Sequence, residues 1–205
     1  MQIIKLNKNT LYYLTIIIVI LLGVYFCFVG GYGSDEDTLP MIYVFEARLS
    51  DGRFVSSRFT SYPIPEIGIG FLSHFFGSWA ANLITFIFHL IGLVIIYLSF
   101  ENKFNFQKII FFLILALSSP VLYFENLEPM DYSWAFLFLS LGTFFYSKKL
   151  FEIAILAFAF SVGCRLNFII FTLVIIFFFN HSFSLKFNKR LIHAICTFII
   201  SGLFY

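Results

Sequence analysis

The chain has 205 residues, 60% hydrophobic and only 12% charged, with a mean hydropathy of +0.95. Too few polar side chains remain to clothe a water-soluble globule, so a soluble domain is excluded and a membrane protein is expected. A net charge of +2 gives no basis for a nucleic-acid partner, and Cys27, Cys164 and Cys196 all stand in apolar stretches, where a thiol packs as a small hydrophobe and implies neither a disulfide framework nor a zinc site.

In chain order, a first apolar span covers 11–31 behind Lys5 and Lys8. It is too long for a signal peptide and lacks a small-residue cleavage site. A polar stretch over 32–66 follows, and then apolar segments at 79–100, 109–124, 132–147, 150–164, 168–180 and 191–205. None has the ten-residue alternation of a barrel strand. The expected fold is therefore all-α, a polytopic transmembrane helical bundle of about seven crossings. It forms one membrane domain over 1–205, with 11–31 as the first span, 32–78 as an external loop carrying two interfacial helices, and 79–205 as the remaining spans.

Lys and Arg beside membrane spans stay preferentially in the cytoplasm. Alternating crossings put all eight lysines and Arg190 on one side, leaving Arg48, Arg53, Arg58 and Arg165 on the other, together with nine of the eleven acids. The N-terminus is thus expected in the cytoplasm and the 32–66 loop outside, in a multi-pass protein of the plasma (inner) membrane. The four outer cations are all arginine, whose planar fork pairs with phosphate or carboxylate where lysine offers a point charge; pairing with the loop's own acids is the plainer use.

In the outer loop, Asp35, Glu36 and Asp37 follow Ser34 directly after the first span. Three consecutive like charges repel one another and point to a partner or a task; equally, Ser34, Asp35 or Asp37 is placed to cap the next helix. That helix is predicted from Thr38 to Leu49, since Leu39, Ile42, Phe45 and Leu49 recur at helical spacing, Pro40 is tolerated in a first turn, and Asp51 with Gly52 stops it. Residues 57–66 carry Pro63 and Pro65 and are expected to form a rigid extended strap including Arg58, Tyr62 and Glu66. A second interfacial helix is predicted over 67–76, ended by Gly77.

The stretch 150–180 must make two crossings if its basic flanks, Lys148 with Lys149 and Lys186 with Lys189 and Arg190, lie on the same side. Each crossing then has about 15 residues and is about 22 Å long, against a hydrocarbon core of about 30 Å. The turn at Gly163, Cys164, Arg165, Leu166 and Asn167 is thereby drawn below the outer surface, where a permanent cation needs a polar cavity or an anionic partner unless it snorkels outward.

These pieces, a first span ending in SDED, the amphipathic MIYVFEARLSDG, the SRFTSYPIPE strap, NLEPMDYSWAF ahead of a span, and SVGCRLN, resemble in order and spacing the GT-C superfamily of polytopic membrane glycosyltransferases. The resemblance covers nearly the whole chain. It implies transfer of a sugar from a polyprenyl-phosphate donor to a glycan, lipid or protein acceptor on the outer face, in building the cell envelope. It places the catalytic acid in the first external loop. The fifteen residues from Asp37 to Gly52 favour Asp37, with Asp35 in support, as general base on the acceptor hydroxyl. Arg58 and Arg165 then suit the leaving phosphate. Asp131, near Glu125 and Glu128, orients the acceptor or a divalent ion, or caps the helix beginning at Tyr132. Tyr62 and Glu66 complete the substrate-binding set. No protein metal site is expected, because the four histidines have no metal spacing, and no cofactor is required by the sequence. Related enzymes have more crossings than seven, so a truncated and inactive chain is one alternative. A non-catalytic scaffold and an anionic-lipid transporter or flippase are the others.

The orientation has a direct test. Gly52→Cys should react with an impermeant thiol reagent from outside and Lys148→Cys only from inside; labelling of position 148 from outside overturns the arrangement.

Overall fold

A computed structural model describes residues 8–33, 38–52, 62–100, 105–178 and 185–204, and among these the chain is helical throughout, without strands. The helices are α1 (Lys8–Val29), α2 (Thr38–Asp51), α3 (Pro63–Phe76), α4 (Ser78–Phe100), α5 (Phe106–Leu117), α6 (Pro120–Glu125), α7 (Asp131–Ser147), α8 (Phe151–Cys164), α9 (Phe168–Phe178) and α10 (Phe187–Gly202). By length and apolarity, two regions can cross a membrane alone, Thr10–Val29 and Ser78–Phe100. The remaining predicted crossings are shorter. α5, α8 and α9 have 12, 14 and 11 residues, α7 and α10 have 17 and 16. Of the about seven crossings expected, two of them short, the structure has two helices long and apolar enough to cross a membrane and five shorter helices packed with them.

Two further boundaries differ from expectation. The apolar run 109–124 is not one span: α5 ends at Leu117, Ser118 caps it, and α6 begins at Pro120. Proline has no N–H to give and its ring crowds the carbonyl four residues back, so a helix arriving there must stop and restart. Conversely, Pro63 and Pro65 do not hold an extended strap up to Glu66, because α3 begins at Pro63 with Tyr62 as its N-cap. The first N–H groups of a helix have no intrahelical acceptor, so prolines there lose nothing. Positions 53–61, including Arg53 and Arg58, lie outside the described residues, as do Ser34, Asp35, Glu36 and Asp37. α2 stops where its sequence announced, with Gly52 at φ +65° donating its N–H to the Arg48 carbonyl.

The helices pack as two clusters joined by a central pair. α1, α4, α5 and α6 share a core of Ile16, Phe86, Leu93, Ile110, Leu113 and Tyr123. α7 to α10 share another around Leu139, Tyr146, Phe158, Ile176 and Ala194. The central pair is α4 with α7, running in the same direction, with Thr85 against Trp134 and His89 against Phe136. α8 returns antiparallel along α7, where Ser161 Oγ donates to the Ala135 carbonyl at 2.7 Å and the Phe151 ring meets Tyr146. α2 and α3 lie across one end of the bundle, with Met41 and Ile69 buried against Ala81 and Trp134.

The outside of the bundle is apolar. Leu14, Ile18, Leu21 and Phe28 on α1, Ile170 and Val174 on α9, and Ile192, Ile195 and Ile199 on α10 are all exposed. An apolar surface this continuous marks contact with membrane or with partners. Charge is largely sorted between the two ends: Lys108, Lys148, Lys149, Lys186, Lys189 and Arg190 at one, with Glu152 among them, and Glu66, Glu125, Glu128, Asp131 and Arg165 at the other, beside α2 and α3.

Where lipid surrounds the helices, association comes from close packing between them, since burial out of lipid gains little. Gly92 and Gly142 provide the approach. A Cβ on Gly92 would stand 2.8 Å from the Phe136 ring, and one on Gly142 would overlap the Phe158 ring, whereas one on Gly202 would meet open space. Gly92→Val and Gly142→Val should each destabilise by about 1–3 kcal/mol, the usual cost of overpacking. Thermal unfolding in detergent, with Gly202→Val as the unaffected control, checks this.

Candidate functional site

The site is built where α7 begins and α8 ends. Met130, extended at φ −106° and ψ 153°, is the N-cap of α7, so Asp131 is the first helical residue and not the cap. The reading of Asp131 as an N-cap is corrected by what its carboxylate does: it reaches across to Arg165. Ser161 fastens the last turn of α8 to the second turn of α7, and Arg165 follows in extended conformation, its N–H held by the Ser161 carbonyl at 3.1 Å. A Cβ on Gly163 would crowd the Phe204 ring and lie 3.3 Å from Ile64 of α3, so only glycine lets α8 end this close to the α3 start.

Arg165 Nη1 donates to Asp131 Oδ1 at 2.5 Å, with Asp131 fully buried and Arg165 13% exposed. Nη2 donates to the Tyr132 hydroxyl, and the Tyr132 ring lies over the guanidinium carbon with its centroid 3.4 Å away. Nε is buried with no hydrogen-bond partner among the described residues. The cation expected below the membrane surface thus has its anion within the protein, 34 residues earlier in the chain. The two partners differ in what their removal would cost. Taking away a buried counter-charge costs about 3–5 kcal/mol because a lone charge stays behind. Lifting an aromatic ring from a cation costs about 0.5–2 kcal/mol. Asp131 is therefore the fixed partner and Tyr132 the looser one.

Neighbouring segments are tied to the same place. Ser133 Oγ donates to Asn126 Oδ1 at 2.7 Å, pinning the α6–α7 connection. Thr38, which follows Asp37 in sequence, sets its hydroxyl 3.5 Å from Met130 Sδ. Gly33, at φ +78°, leaves no room for a side chain because Glu128 fills that position. Asn82 of α4 donates to the Cys27 and Gly31 carbonyls at 3.2 and 2.6 Å, closing the end of α1. Both ends of the acid segment are held against the α6–α7 connection, while Asp35 and Asp37 themselves lie outside the described residues.

Of the other expected site residues, Tyr62 and Glu66 serve the start of α3. The Tyr62 N–H donates to Glu66 Oε1 at 3.2 Å, and the Glu66 N–H makes the first helical bond to the Tyr62 carbonyl at 3.1 Å, with Glu66 buried. Arg58 lies outside the described residues. Tyr132 was missed by sequence reading; an aromatic beside an acid carries no signal until its partner is known. No cluster of three or more His, Cys, Asp or Glu able to hold a metal occurs among the described residues. Cys27 and Cys164 are buried free thiols. His74, His89 and His193 pack against aromatic rings. An apolar groove of about 470 Å³ between α1, α4 and α5, lined by Ile16, Ile20, Val94 and Ile110, is far from Arg165 and holds no chemical group.

No protein-family model matches the chain, and neither does a curated protein or a solved structure.

The pairing predicts a coupled stability pattern. Asp131→Leu alone should destabilise by about 3–5 kcal/mol, and Asp131→Leu with Arg165→Met should recover most of the loss, since no charge is then stranded. Thermal unfolding of the four proteins in one detergent checks it; additive losses would mean the two residues act separately.

Proposed function

We propose that this chain is a polytopic membrane glycosyltransferase of GT-C type, moving a sugar from a polyprenyl-phosphate donor to an acceptor on the outer face of the membrane. The observation that carries the reading is the largely buried Arg165, which among the described residues has one acid paired to it and an Nε–H with no hydrogen-bond partner, at the acid-rich end of an apolar bundle. A purely structural ion pair gains from satisfying every donor. An arginine kept for a leaving phosphate needs a fixed counter-ion and free N–H groups, because stabilising charge as it develops on the leaving group is the main electrostatic contribution available.

In this arrangement the five shorter helices are membrane-inserted with α1 and α4, the lysine-rich end is cytoplasmic, and α2 and α3 rest on the outer surface. α8 and α9, about 21 Å and about 16 Å long, bring the Arg165 turn below that surface, at the level of a lipid phosphate. Asp37, supported by Asp35, takes the proton of the acceptor hydroxyl as the sugar leaves its phosphate. Asp131 holds Arg165, a different task from orienting the acceptor or a divalent ion. Arg58 remains a second candidate for the phosphate.

The test uses the full chain in proteoliposomes with a polyprenyl-phosphate sugar. Asp37→Asn should abolish transfer while the protein stays inserted, since the amide keeps shape and cannot accept the proton. Arg165→Lys keeps the charge and loses the fork, so donor binding should weaken by about 1–3 kcal/mol. Unchanged turnover in Asp37→Asn removes it from the mechanism, and donor binding without transfer in the parent favours an anionic-lipid transporter.

A further inference from the structure

Arg165 is closed on three sides in different ways. Asp131 takes Nη1, the Tyr132 hydroxyl takes Nη2, and the Tyr132 ring shields one face of the guanidinium. Nε is buried and unused. Nε and Nη2 share one edge of the guanidinium plane, and such an edge can offer two parallel N–H bonds to two oxygens of one anion. Among the described residues, the hydrogen-bond partner on that edge is the Tyr132 hydroxyl, which is neutral. Asp131 sits on the other terminal nitrogen and keeps the cation neutralised whatever the edge binds.

We propose that Tyr132 is the displaceable cover of a phosphoryl-oxyanion site whose permanent part is the Arg165–Asp131 pair. The inference rests on the reading of Arg165 as the donor-phosphate residue and names Tyr132 and Asp131 as the residues that position and ration it. Tyr132 suits the part because its side of the contact is open: the residue is 41% exposed, whereas Asp131 is fully buried. It stands in the first turn of α7, so its side chain can swing outward without disturbing the helix, and nothing charged is stranded when it does. A tetrahedral oxyanion arriving at the Nε–Nη2 edge then replaces one neutral hydroxyl with two charge-assisted bonds and gives the unused Nε a partner. The closed form competes with the ligand, so apparent affinity is lowered by the fraction of molecules in which Tyr132 is already turned away. Tyr132 is a positioning residue in this scheme and touches no reacting bond. It ties access to Arg165 to the presence of a group able to outbid a phenol.

The shared ligand chemistry is a phosphoryl oxyanion, from a lipid headgroup or from free phosphate. The experiment titrates the full chain in zwitterionic nanodiscs with hexadecyl phosphate and, separately, with inorganic phosphate, following ³¹P line broadening. Tyr132→Leu should bind about three- to tenfold more tightly than the parent, the scale of a lost cation–π contact. Tyr132→Phe, which keeps the ring and lacks the hydroxyl, should fall between them and serves alone if Tyr132→Leu does not fold. Arg165→Gln in either background should lose the binding. A gain confined to hexadecyl phosphate assigns the site to a lipid headgroup, and an equal gain with inorganic phosphate assigns it to a free anion. Equal or weaker binding in both Tyr132 variants overturns the proposal. Sugar transfer measured on the same preparations separates this result from the enzyme reading: tighter binding in the variants with no transfer by the parent leaves the cover standing and removes the enzyme, and transfer without any Tyr132 effect does the reverse.

Discussion

A guanidinium in an apolar bundle has to be neutralised, and the ends of α7 and α8 are organised around that requirement. Arg165 follows directly on the 14-residue α8, and its counter-charge is the first residue of α7. For the two to meet at 2.5 Å, the antiparallel α7–α8 pair must be in one register. The Ser161 hydroxyl on the Ala135 carbonyl and the close approach at Gly142 hold that register. A shift of one turn would separate the charges by about 5 Å and leave each alone in low dielectric. The ion pair thus gives register specificity to helices whose apolar faces alone would tolerate sliding.

The same end of the bundle gathers groups that are distant in sequence. The end of α1 is closed by Asn82 of α4, Gly33 is filled by Glu128, Thr38 meets Met130, and Ile64 at the start of α3 faces Gly163. Each contact satisfies a local need, a helix carbonyl without a partner or a close packing position. Together they draw α2, α3, Gly33 and Thr38 toward the end of the bundle that holds Arg165. The arrangement costs backbone freedom at Gly33, whose φ of +78° suits glycine, and it gathers acids at this end while the sides of the bundle stay apolar.

Elements written in local residues were legible. α2 could be read from its apolar spacing and its Asp51–Gly52 stop, and it ends there because glycine alone enters the left-handed region without penalty. The shortness of α8 and α9 followed from two basic flanks and 31 residues between them. The start of α3 was not legible: proline favours both an extended strap and a helical first turn, and the choice depends on whether the following residues can pack as a helix, here Ile69 against Met41 and Ala81. The break at Pro120 was hidden by continuous apolar residues on both sides, because hydropathy records the surrounding medium and not the hydrogen-bond ladder.

The amino-acid sequence by itself determined the helical class, the apolar exterior, the sorting of lysines from acids and the burden of a cation near Arg165, since each depends on composition or on spacing within a few turns. Tertiary structure alone decided what that cation meets. Asp131 and Tyr132 are 34 and 33 residues away. Likewise, that the Tyr62 N–H meets the Glu66 carboxylate at the start of α3 became visible only once the helix start was placed. Long-range electrostatic partners are fixed by helix register, and register is a property of the packed faces taken together, which no single segment records.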